Sequence, residues 1–260
     1  MMAANKLFTR FDSTTAVGRK HWTWLGVFLI VAFLISQAPA RLIGVGLPPG
    51  VALEGYSGTL WRGSAARAAV LINDKQFQLG ELEWTIHPWS LLTMQPAVSL
   101  KSQWGSQLLS GRVAAGWGNR ISLRDVSASI DMGFIRQLLP LYIGGTLQVD
   151  VKRLVLQDLS PLAADGRVVW QNAVWTARAG DVALGNYVLE LSGEDRLNAE
   201  VITLSGPLEV SGGLALTGRD YQLNLSLSGP ATENAGLRQS LSLLAEPVPT
   251  GFNMRLEGTL

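Results

Sequence analysis

The chain has 260 residues, no cysteine, two histidines and a formal net charge of +1. Without cysteine there are no disulfides, no thiolate nucleophile and no cysteine-type metal site; two histidines give no zinc constellation, which needs several converging ligands. The first forty residues hold Lys6, Arg10, Arg19 and Lys20 against Asp12, net +3, so the rest carries −2 (+1 minus +3), which makes nucleic acid an unsuitable partner.

Residues 1–21 read as a basic tail. Trp22–Ala38 follows as an apolar run with no charged residue. As a helix it is about 25 Å long, near the short end of what spans a bilayer core of about 30 Å. The expectation is a single transmembrane anchor over 22–40, with Trp22, Trp24, Leu25, Phe28, Ile30, Phe33 and Ile35 as its membrane-anchor residues. Basic residues in short flanks stay cytoplasmic, so the tail is expected in the cytoplasm and residues 41–260 across the membrane. Ala38-Pro39-Ala40 also has the form of a small-x-small cleavage site. A leader of that length exceeds the usual range of about 15–30 residues.

Leu47-Pro48-Pro49-Gly50 reads as a stiff linker and turn. Beyond it, alternation with a period of two dominates, as in Gln76–Leu79, Ile121–Val126 and Thr146–Val151. Alternation puts apolar side chains on one face and polar ones on the other, the pattern of half-buried strands. The second half repeats strands ending in glycine: Leu189–Gly193, Leu204–Gly206, Leu214–Gly218, Leu225–Gly229 and Leu256–Gly258. Such a series reads as a meander of hairpins.

Three short helical segments are expected. Pro88–Leu92 has proline at an early helical position. Phe134–Leu139 stops before Pro140, and a subdivision of the β domain is expected near 134–142. Ala235–Leu244 places Leu237, Leu241 and Leu244 on one face. The fold class is therefore mainly β, an elongated, curved antiparallel sheet with a few short helices. Gly63 and Gly145 read as positions where the backbone itself demands glycine.

No catalytic signature is present. Gly55-Tyr56-Ser57-Gly58 lacks the spacing of a nucleophile elbow, and no phosphate-binding loop occurs. Glu81 and Glu83 share a strand face, which reads first as a solvated surface. The expectation is no enzyme, no cofactor and no metal. Tryptophan is unusually frequent, nine in all; each reads as core filler or as an interface anchor.

Two local patterns, Gly55-Tyr56-Ser57-Gly58-Thr59-Leu60-Trp61-Arg62-Gly63 and Leu82-Glu83-Trp84-Thr85-Ile86-His87-Pro88-Trp89-Ser90-Leu91-Leu92, resemble the type II secretion system protein N family. Leu138–Leu147 is similar to that family's middle segment. The resemblance implies an accessory inner-membrane component of a machine that exports folded proteins from the periplasm across the outer membrane. It also implies a periplasmic location for 41–260 and partners among the other components. Gly58, Trp61, Gly63, Trp84, Pro88 and Trp89 are the candidate interaction or motif residues. The Leu-rich alternating strands also resemble, more faintly, periplasmic AsmA-like lipid-groove proteins. That resemblance implies membrane lipid as a partner, with an acyl chain held in a β groove.

Overall fold

Alternation continues for most of the chain, and its product is one antiparallel sheet. The computed structural model describes residues 16–72, 75–92, 95–134, 143–158, 160–177 and 180–259. The strands are β1 Val51–Gly58, β2 Arg62–Ile72, β3 Lys75–Ile86, β4 Ala97–Trp104, β5 Gln107–Gly116, β6 Arg120–Asp131 and β7 Ile143–Gln157. They continue as β8 Ser160–Ala177, β9 Gly180–Ser192, β10 Arg196–Ser205, β11 Glu209–Thr217, β12 Asp220–Ser228, β13 Glu246–Val248 and β14 Gly251–Thr259. Each pairs with its neighbour in sequence from β1 to β12; β14 then pairs with β12 and carries β13 on its outer side. The expected mainly-β, antiparallel class is what the chain forms.

Register explains the two faces. Leu82, Ser102, Leu109, Ala128, Val149, Val168 and Leu189 stand directly opposite one another on β3 to β9. Val201, Gly212, Leu225 and Met254 extend that row to β14. One residue along, the neighbouring row reads Glu83, Lys101, Ser110, Ser127, Asp150, Arg167 and Glu190. A period of two therefore sorts the whole sheet into an apolar and a polar face. The one polar member of the apolar row, Ser102, is buried and donates its hydroxyl to the Leu79 carbonyl at 2.6 Å.

Short elements cover the ends of the apolar face. A 3₁₀ segment, Ala40–Gly46, packs Ala40 and Ile43 with Leu53, Ala65, Ala68 and Trp84. Leu47 joins this cluster, and the Gly50 carbonyl accepts from the Leu71 N–H; the segment after the helix is thus tied to the sheet rather than a free spacer. Helix α2 is Pro88–Leu92, where the sequence places it; α3 is Ala235–Leu241, starting where expected but ending three residues short of Leu244, which lies beyond it at 64 % exposure. Leu237 of α3 is buried with Ala173, Leu184, Tyr187, Leu227 and Phe252. Phe134 meets Phe77 and Trp104 edge to face at 6.1 and 5.6 Å. The rest of the helix expected over 134–139, and most of the candidate boundary 134–142, lie outside the described residues.

The N-terminal helix α1 spans Ala16–Ser36. Arg19 and Lys20 fall within it, so its charge-free part, Trp22–Ser36, is about 22 Å long. Among the described residues no helix is long and apolar enough to cross a membrane. All seven apolar residues expected on the anchor are exposed; Trp22 is 76 % and Phe28 68 % accessible.

Glycine is required at both expected positions, for different reasons. Gly145 has φ of +112°, and a Cβ there would lie 2.5 Å from the Gln171 carbonyl oxygen. Gly63 is a close-approach site: a Cβ would meet the Thr59 carbonyl and Trp84 Cζ2, each at 2.7 Å.

Candidate functional site

Three features present themselves: a helix–sheet junction, an apolar groove and a basic cavity. The junction gathers four of the six motif residues. Leu60 donates its N–H to the Ala38 carbonyl at 2.7 Å, and Pro39 bridges Thr59. Trp61 reaches back across 26 residues, its indole N–H donating to the Ile35 carbonyl at 2.8 Å. The last carbonyls of a helix have no partner within it; here a tryptophan in the turn between β1 and β2 supplies one.

Trp84 forms the floor. It is 2 % exposed, donates its indole N–H to the Leu60 carbonyl at 3.0 Å and meets Tyr56 edge to face at 6.4 Å. Gly63 stands opposite Trp84 in register and leaves room for the ring. Gly58, with φ of +82°, turns β1 towards β2. The Ile86 N–H donates to the Trp61 carbonyl at 2.7 Å, tying the second motif to the first. The two sequence patterns are thus halves of one joint. Pro88 opens α2, and Trp89, next on that helix, is 78 % exposed.

The groove lies on the apolar face between the C-terminal strands and α3. Its volume is about 460 Å³, and Leu147, Val168, Trp170, Leu189, Val201 and Leu241 are among its walls. Tyr187 closes its deep side, with its hydroxyl 2.9 Å from the Leu184 carbonyl and 2.8 Å from the Leu208 carbonyl. Burial pushes this phenol up to about 12, because the phenolate is poorly solvated there.

The basic cavity lies on the polar face and was not anticipated from sequence. Arg112, Arg124 and Arg153 line it with Arg120, His87, Glu194 and Asp195, around about 700 Å³. Within Ile121–Val126, which reads as an alternating strand, the Arg124-Asp125 doublet is the one departure from alternation; it marks a register shift between β5 and β6 that brings Arg124 onto the polar face. Glu81 and Glu83 lie with Lys101 in a separate solvated depression. Among the described residues no group of three His, Asp or Glu side chains is placed to hold a metal ion.

The profile described as "Type II secretion system (T2SS), protein N" matches residues 49–254. Type II secretion system protein N of Aeromonas hydrophila is 32 % identical over 250 residues, covering 90 % of this chain and 96 % of that one. The protein of the same name from Vibrio cholerae serotype O1 is 26 % identical over 233 residues, covering 84 % and 89 %. No solved structure matches the chain. The chain belongs to the type II secretion system protein N family.

Proposed function

We propose that this chain is an accessory inner-membrane subunit of a type II secretion machine, and that it acts as a scaffold for other components. On this reading α1, with the basic tail before it, is the anchor, and the tail lies in the cytoplasm. The sheet stands in the periplasm and binds periplasmic or inner-membrane components. The helix–sheet joint is the observation that carries the reading. The Trp61 indole bond to Ile35 and the Leu60 bond to Ala38 leave little freedom between anchor and sheet. A tether for a freely moving domain needs a flexible linker; a scaffold needs a fixed one. The apolar side chains that α1 exposes suit contact with lipid, and neighbouring helices or local thinning of the bilayer can accommodate a short span. The reading includes no catalysis.

The test is deletion of the gene in a strain that secretes through this machine. Exoproteins should accumulate in the periplasm, and secretion components should co-purify with the tagged chain. Unchanged secretion together with no co-purifying component would remove the proposal.

The apolar groove supports a second reading, a site for an acyl chain. Its walls are almost wholly aliphatic and aromatic, as lipid-holding sites are. Native mass spectrometry of gently extracted protein should show a lipid-sized adduct that Leu189→Arg abolishes. An adduct-free spectrum from the wild-type chain argues against this reading.

A further inference from the structure

We propose that the arginine row Arg112–Arg124–Arg153, on the polar face of β5, β6 and β7, is a binding site for a phosphate-class anion. The proposal is independent of the secretion reading. Arg112 stands directly opposite Arg124, and Arg124 directly opposite Arg153. Like charges directly opposite in adjacent strands repel and weaken a sheet. Elsewhere on the same face Glu83 opposes Lys101 and Asp150 opposes Arg167. The acids Glu190 and Glu200 oppose one another too, but outside this cavity.

Nearby acids do not cancel the charge. Glu194 holds Arg153 at 2.6 Å, and Arg120 donates its Nε–H to Gln157 at 3.3 Å. Asp165 faces Arg153 in register, and Asp125 follows Arg124, yet neither forms an ion pair among the described residues. The guanidinium groups of Arg112 and Arg124 have no hydrogen-bond or ion-pair partner among the described residues. Four arginines therefore share the cavity with two carboxylates, Glu194 and Asp195, an excess of two positive charges.

That excess, and the planar forks that carry it, match one doubly charged oxyanion. A phosphate offers several acceptors to guanidinium groups converging from adjacent strands. An acidic peptide fits less well. Extended peptides gain affinity by pairing with a free sheet edge, and β5, β6 and β7 are each paired on both sides. The anion is either free phosphate or the phosphate of a lipid headgroup.

The test uses the full chain in detergent, titrated with inorganic phosphate at constant ionic strength and followed by phosphorus NMR and calorimetry. Saturable binding is expected, weakened at least about tenfold in Arg112→Ser/Arg124→Ser and unchanged in Arg67→Ser, a control on β2 whose arginine pairs with Glu54. Should the serine variant fail to fold, Arg112→Lys/Arg124→Lys keeps the charge, removes the forks and should weaken binding measurably. Flotation with vesicles of phosphatidic acid in phosphatidylcholine gives the second arm. Dependence on both arginines there, without binding of free phosphate, assigns the anion to a headgroup. Two results would overturn the proposal: phosphate and vesicle binding that the arginine variants leave unchanged, or a polyglutamate peptide that binds the row while neither phosphate nor vesicles do.

Discussion

Trp61 and Trp84 carry the same indole ring with its one N–H, yet they do different work. Trp84 fills volume: among the described residues it is the largest side chain that is almost fully buried. Trp84→Ala should cost about 3–5 kcal/mol, read as a lowered urea midpoint. Trp61 closes a bond to the helix end. Trp61→Phe keeps the ring and removes the donor, so it should cost about 1 kcal/mol; hydrogen exchange at Gln37 and Leu60 should rise while the sheet's protection is kept. Gly63→Ala sets a Cβ 2.7 Å from backbone and should cost about 1–3 kcal/mol, with Trp84 fluorescence shifted. Tyr187 gives a pH prediction. Its folded value, about 12, lies above the ordinary 10.0, so the folded state holds the proton more tightly. The stability this gives is complete below pH 10, and is lost as pH rises from there through about 12. Tyr187→Phe should remove that alkaline loss. The sequence showed that Gly63 and Gly145 were special, because glycine amid strand residues is conspicuous. It did not show whom Trp61 binds, because its partner is a carbonyl 26 residues earlier and carbonyls look alike in every residue.

At the scale of elements, the strands were legible because one face of each is buried and a slip by one residue would bury charge. The two short helices were legible from proline and from leucines three to four apart. Asn234 caps α3, its Oδ1 accepting from the Gly236 and Leu237 N–H groups at 3.1 Å. Asn234→Ala should cost about 1 kcal/mol and loosen α3 over the groove, seen as faster exchange at Arg238 and Leu241. The register shift at Arg124-Asp125 was hidden, since a doublet of polar residues in an alternating run also suits a strand end. That shift decides which face three arginines share. Charge clustering across strands is a property of register, and composition, with its net charge of +1, averages it away. At the start of β14 the far edge is covered by β13, three residues with Pro247 in the middle, and neither feature invites a further strand there.

For the whole molecule, the sheet's order is the chain's order from β1 to β12. Each strand finds its partner in the segment just before it, so long-range loop closure is seldom required. Structure of this kind can grow from one end, as in repeat arrays, where each unit leans on the last. A chain emerging amino-terminus first, from a ribosome or through a membrane pore, can lay down its strands as they appear. The last steps differ, because β14 must enter beside β12 with β13 held outside it. Assembly therefore has a direction and a distinct last step: a growing edge that moves along the sheet, and a final hairpin whose three-residue outer strand covers only Gly251–Asn253 of β14.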